Sequence, residues 1–368
     1  MASVKSTSWV SRVKDIFAKT YVRKGLRIAR VGFLTYGVYT SGYHMGMAKY
    51  AEDPQEMDRQ LMMQIVRSSI STMGADSVGE DASAEDSKHN LILKKDTQEY
   101  KVVQRVSLRV LKAAKEFCNI QLQESKDTLL KISKEYQNTK ESSNTESNEK
   151  SVHLLELVKQ AAQTQNEMQY WSQVKQQLKG HWHCIVINSK DINAFVTNVC
   201  PRKIFVHKGL FQVHPTEDEL AMVLSHELSH LMLKHNEKKT EVSATLAIMQ
   251  LLLLTLIDPT GLGSFFIDLC VGNLADYLSA SNSRTCEAEA DELGLKILSL
   301  ACYNIKKGTG IFEKFGLLEN HAKTGWFSTH PSSDERLLAL RELANSEELQ
   351  KGKLTEGCKS LQRLFFRT

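Results

Sequence analysis

Apolar positions recur at three- and four-residue intervals from about 97 to 135 (Val103, Val106, Val110, Leu111, Ala114, Phe117), with Lys and Glu between them. That spacing predicts one long amphipathic helix. A second helical stretch covers roughly 152–178. Between the two, residues 137–151 (QNTKESSNTESNEKS) hold no large apolar side chain and read as a disordered polar insert. Residues 74–90, rich in Asp, Glu, Ser, Gly and Ala, read as a loop. The pattern then shortens. HCIVIN at 183–188 and KIFVH at 203–207 are β-branched or aromatic runs of strand type. Helical spacing returns after Pro215, where Thr216 and the acids at 217–219 mark a helix start, and another helix begins near Ser283. The whole predicts an α+β fold, mainly helical, with a small β-sheet.

Composition narrows the class. Of 368 residues 24% are charged, and the mean hydropathy of −0.31 excludes a polytopic membrane protein. The net charge of +4 is uneven: residues 1–30 carry eight Lys or Arg and a single acid, Asp15, so the remainder is net negative. A nucleic-acid binder carries its positive charge on the folded body, so no nucleic-acid partner is expected. A basic, hydroxyl-bearing start has the composition of an organelle-targeting arm. Residues 31–48 then lack any charged side chain and include the small pair Gly42 and Gly46, making a candidate membrane anchor, with an unstructured linker as the alternative. Residues 242–257 form another uncharged run, too short for a standard span, and read as a core helix or a surface that dips into a bilayer. The expected organisation is a targeting-like arm (1–30), the anchor (31–48), a loop, amphipathic helix and polar insert (49–151), a catalytic domain (152–345) and a tail (346–368). Seven scattered cysteines without a C-x-x-C pair point away from a disulfide scaffold and from a cysteine zinc knuckle.

The chemistry lies in HELSH at 226–230. On a helix, His226 and His230 project from one face and can bind one metal ion. Glu227 sits about 100° round the axis, beside the place of a metal-bound water. Zinc lowers the pKa of such a water, and a nearby carboxylate can take its proton, which is the chemistry of peptide hydrolysis. The flanking Val223, Leu224, Leu228, Leu231 and Leu233 bury this helix, and a buried Glu needs a reason. A third ligand is required. His235 stands at the wrong spacing for the metzincin pattern, whereas Glu287 in SRTCEAEADELGLKIL (283–298) can complete a His-His-Glu set. Asp291, one turn on, can bond a ligand imidazole. Arg284 can line up with Glu287 and offset its charge, and Glu289 reads as exposed. In STHPSSDER (328–336), His330 can stabilise an oxyanion and Arg336 can anchor the loop.

The segments NAF (193–195), KIFVHKGLF (203–211), HELSHLMLKH (226–235), SRTCEAEAD (283–291) and STHPSSDER (328–336) together resemble the zinc peptidase family that includes HtpX-like heat-shock proteases and CAAX prenyl proteases. EAEADELGL followed by STHP is similar to its mitochondrial inner-membrane branch, whose activity overlaps with the m-AAA protease. The resemblance covers about 181–345. It implies one Zn2+ per chain held by His226, His230 and Glu287, with Glu227 as general base. It also implies that the 203–211 strand is the edge beside which substrate lies extended, with Asn193, Ala194 and Phe195 at that edge. The text VTNVCPRK departs from the family's Pro-Gly turn after NAF, and the CAAX branch needs several spanning helices that this chain lacks. The expectation is a zinc metalloendopeptidase of mitochondrial inner-membrane quality control, cutting membrane-associated or misfolded polypeptides, with homo-oligomerisation left open. The rivals are a non-catalytic scaffold or assembly factor with the same fold, and a soluble cytosolic peptidase.

Overall fold

The computed structural model describes residues 54–71, 91–141, 148–238, 245, 283–319, 326, 330 and 334–346. The basic arm, the candidate anchor at 31–48, the 74–90 loop, the 242–257 run except residue 245, and all but the first residue of the tail lie outside the described residues. The chain divides into two units, one of Met1–Ile65 with Val242–Tyr277, the other of Val66–Glu241 with Leu278–Thr368. The described part of the first is the opening of helix α1 (Pro54–Ser71) and residue 245. None of the described helices is long and apolar enough to cross a membrane.

The second unit carries the long helices α2 (Gln98–Glu141) and α3 (Asn148–Gln177). The first half of α2 buries Val103, Val106, Val110, Leu111, Ala114 and Phe117, the stripe that the sequence period marks. The disordered insert expected over 137–151 is corrected at its two ends, where α2 runs to Glu141 and α3 starts at Asn148, while residues 142–147 lie outside the described residues. Each helix supplies the other with a partner, His153 facing Glu135 at 3.4 Å and Lys150 donating to the Lys140 carbonyl at 3.4 Å. Lys, Glu and Gln are adequate helix formers once such a neighbour is present.

The sheet has three strands, β1 (His183–Ile187), β2 (Ala194–Val196) and β3 (Lys203–His207), in the order β1-β3-β2. β3 pairs parallel to β1 and antiparallel to β2. It is therefore the central strand, which corrects the expectation that 203–211 forms the edge. With both of its ladders taken, β3 has no free backbone row to offer a substrate. The edge is β2, with Phe195 stacked on Phe205 at 4.8 Å. Beyond β1, Leu93 N–H and Asn188 N–H bond to Val186 and Leu91 carbonyls at 2.8 Å each, covering the opposite edge.

Helix α4 (Glu217–Met232) is buried on every side from Glu219 to Met232 and touches α2, β2 and the later helices; its apolar residues fill the core while Ser225, His226, Glu227, Ser229 and His230 are buried polar groups. Thr216 and Glu219 form a capping box. Glu217 pairs with Arg105, Asp218 accepts from the Asn304 N–H at 2.8 Å, and Lys314 holds Glu219 at 2.7 Å. At the other end the Tyr170 hydroxyl donates to the Met232 carbonyl at 2.7 Å. Residues 283–300 form α5, followed by α6 (Ile305–Gly308), α7 (Gly310–Glu319) and α8 (Asp334–Asn345). Cys118, Cys184, Cys200 and Cys286 are not joined in disulfides. Cys302 is disulfide-bonded, a pairing that the spacing of the cysteines does not mark.

His207 ends β3 wholly buried, without a hydrogen-bond partner for either ring nitrogen among the described residues, and with Asp191 3.8 Å from Nδ1. Burial holds its pKa below the ordinary imidazole value, against the weaker pull of Asp191. As pH falls below about 6.5, the unfolded chain takes up a proton that the folded one refuses, so stability drops. His207→Leu should shrink the fall in thermal midpoint between pH 7.5 and 5.5; an equal fall in wild type and variant would exclude this role.

Candidate metal centre

Four residues per near-turn put His226 and His230 on one face of α4, and their Nε2 atoms lie 3.0 Å apart. Across from them α5 presents Glu287 and Asp291, again four residues apart. Glu287 Oε2 stands 3.3 Å from His226 Nε2, and Oε1 3.5 Å from His230 Nε2. Asp291 Oδ1 reaches the other nitrogen of His226, Nδ1, at 2.9 Å. The helices come this close because position 294 is glycine: a Cβ there would sit 3.3 Å from the His226 Cα and N.

His330 enters from beyond α7. Its N–H bonds to the Trp326 carbonyl at 2.8 Å, and the Trp326 ring stacks on its imidazole at 4.3 Å. Trp326 is tied in turn through its N–H to the Ile192 carbonyl at 2.8 Å. Nδ1 of His330 lies 3.0 Å from both Glu287 oxygens and 3.4 Å from His226 Nε2, while its Nε2 lies 3.2 Å from Glu227 Oε1. Arg336, at the start of α8, grips Asp291 through Nε at 2.5 Å and Nη2 at 2.9 Å, and reaches Glu287 through Nη1 at 3.0 Å.

The electrostatics follow from burial and pairing. Burial penalises both carboxylates, but Arg336 and His226 hold Asp291 below the usual carboxylate range, and His226 with His330 does the same for Glu287. His226 is raised: burial opposes its charged form, and the hydrogen-bonding partners Asp291 and Glu287 outweigh that. His230 is lowered by burial and by the other imidazoles. Glu287 and Asp291 thus stay anionic and His230 keeps a free lone pair.

His226, His230, Glu287 and His330 are all buried, and one donor atom from each falls within 4.8 Å of the others. Metal–donor lengths of about 2.1 Å set tetrahedral donors roughly 3.4 Å apart. The separations of 3.0, 3.3, 3.4 and 3.5 Å are of that size. Nitrogen and carboxylate donors in a closed, low-dielectric site fit a divalent metal ion, whose charge would answer the clustered carboxylates.

The structure thus brings together His226, His230, Glu287, Asp291, His330, Arg336 and Glu227, the last only 4% exposed. Arg284 is exposed and is not among them; the cation beside Glu287 is Arg336. Asn193, Ala194 and Phe195 lie at β2, which packs against α4. Glu289, read as exposed, is half-buried and engaged with His235. Sequence reasoning missed His235, Trp326 and Gly294. His235 carried a signal, a third histidine in HELSHLMLKH, whereas nothing local marks a stacking partner or a helix contact. A separate cleft of about 780 Å³, lined by Leu91, Asn188, Lys190, Lys208 and Phe211 among others, includes none of these donors.

Comparison with known proteins places residues 158–344 in a match to Peptidase family M48. The mitochondrial metalloendopeptidase OMA1 of Arabidopsis thaliana is 32% identical over 167 residues, 45% of this chain and 32% of that protein. Its Schizosaccharomyces pombe counterpart of the same name is 31% identical over 163 residues, 44% of this chain and 46% of that protein. Metalloprotease LoiP of Escherichia coli is 28% identical over 167 residues, 45% of this chain and 64% of that protein. The chain therefore spans from a third to two thirds of the relatives it matches.

Gly294→Val should destabilise the fold by about 1–3 kcal/mol through overpacking against α4. Gly294→Ala should be near neutral, because helix propensity of up to about 1 kcal/mol offsets the tighter contact. Denaturant unfolding of both variants measures this, and a Val variant as stable as wild type would mean the helices can part freely.

Proposed function

Because this chain belongs to peptidase family M48, we propose that it is a zinc-dependent metalloendopeptidase of the mitochondrial inner membrane, cutting membrane-associated or misfolded polypeptides. The observation that carries this reading is the convergence of four buried donors beside a buried carboxylate, Glu227. In this reading His226, His230 and Glu287 hold the zinc. Zinc, when bound, supplies Lewis acidity, lowering the pKa of a water towards neutrality and polarising the scissile carbonyl.

The chain's own groups do the rest. Glu227 accepts a proton from the attacking water and returns it to the leaving amine. Asp291 holds His226 Nδ1 so that Nε2 faces the donors, and Arg336 keeps Asp291 and Glu287 ionised. A catalytic site keeps one position for water, so hydrolysis requires the His330 imidazole to yield its place beside Glu287, where it can then face the developing oxyanion. The free edge of β2, next to α4, can receive an extended substrate by strand addition. The names of the OMA1 relatives and the basic start of this chain support the mitochondrial location.

Glu227→Gln should retain zinc at the wild-type level and lose about 10²–10⁴-fold in cleavage of an unfolded protein; near-wild-type turnover would overturn the mechanism. Chelation should abolish cleavage and added zinc restore it. Alkaline carbonate extraction of fractionated cells should leave the tagged chain in mitochondrial membranes. Recovery as a soluble cytosolic protein would remove the location and the membrane substrates, while leaving the chemistry intact.

A further inference from the structure

We propose that His235 and Glu289 are positioning residues, which orient His230 for metal binding through a relay of two hydrogen bonds. This rests on the metal-binding reading of the cluster above. After α4 ends, Lys234 takes a left-handed backbone conformation with φ 55°. The chain turns there instead of continuing the helix, and His235 comes back against His230. The two Nδ1 atoms lie 2.8 Å apart. The far nitrogen of His235, Nε2, is 3.0 Å from Glu289 Oε2, and Lys238 holds that same oxygen at 3.0 Å. His235 is fully buried.

Donor and acceptor bookkeeping leaves one arrangement compatible with a metal on His230 Nε2. A carboxylate only accepts, so the proton of His235 sits on Nε2 and points at Glu289. The bare Nδ1 of His235 then accepts from His230 Nδ1–H. That places the His230 lone pair on Nε2, the atom beside His226 and Glu287. If instead His235 donated to His230, the His230 proton would move to Nε2 and block the metal. Asp291 performs the same task directly on His226 Nδ1 at 2.9 Å. Each of the two helix histidines thus has its outer nitrogen fixed by a carboxylate of α5, one in contact and one through an imidazole. Glu289 lies two residues from Glu287, so the relay also links the C-terminal end of α4 to the helix that brings the carboxylate donor.

The test is zinc affinity of the purified full chain, by competition against a chromogenic chelator, alongside the unfolding midpoint of each zinc-free protein. Loss of an outer partner of a ligand imidazole typically weakens metal binding 10–100-fold. His235→Phe, which keeps a ring but has no acceptor, should show a loss of that size. His235→Gln, whose amide can accept from His230 and donate to Glu289, should recover most of it. Glu289→Ala, at a half-exposed position that the fold tolerates, should lose affinity several-fold with an unchanged zinc-free midpoint. Wild-type affinity in His235→Phe or in Glu289→Ala overturns the relay alone. Affinity that merely follows the zinc-free midpoint, with Gln no better than Phe, also overturns it. A wild-type chain that binds no zinc overturns the relay together with the metallopeptidase reading.

Discussion

The donor cluster of the second unit depends on the contact between α4 and α5 at Gly294 and His226. Without a side chain at 294 the two helices press together, and two imidazoles and two carboxylates meet in an interior closed to solvent. Buried charges are tolerated only when paired. Arg336 answers part of this demand by bonding Asp291 and Glu287 together. A divalent ion among the donors would answer the rest, which is why stability and chemistry are linked at this site.

The surrounding elements hold α4 still. Its first turn is tied to α2 through Glu217, to the segment before α6 through Asp218 and to α7 through Glu219; its last carbonyls meet Tyr170 of α3. A ligand set must hold its geometry to fractions of an ångström, and a helix anchored at both ends supplies that. The sheet has a different task. Its centre is closed by two ladders and its β1 side is covered, so among the described residues β2 is the outer strand, and it packs against α4.

The donors differ in how they are secured. His226, His230 and Glu287 stand on two packed helices, and the outer nitrogens of both histidines are bonded. His330 comes instead from the stretch between α7 and α8, held by stacking on Trp326 and by contacts with the two glutamates. A group outside the packed helices, held by one backbone hydrogen bond and its side-chain contacts, moves at less cost than one that carries the weight of the core.

Periodicity was enough to read α2 to α5, the two longer strands and the paired faces 226/230 and 287/291, because helical and strand spacing are local properties of the backbone; α1, α6 and α7 went unread. The capping box at Thr216 was legible for the same reason. What eluded the sequence was decided between elements. Residues 137–141 and 148–151 looked unstructured, yet they continue two helices that give Glu135 and Lys140 their partners. β3 looked like an edge, since strand order depends on pairings that no single run encodes. Arg284 was the expected partner of Glu287 and Arg336 a loop anchor, yet the tertiary structure brings Arg336 to Glu287 and leaves Arg284 exposed. His235 failed a ligand-spacing rule, yet a left-handed residue at 234 turned it towards His230. The residue types and their helical spacing thus determined the chemistry on offer; long-range packing decided which groups meet, because burial and hydrogen bonding act between atoms close in space, whatever their distance along the chain.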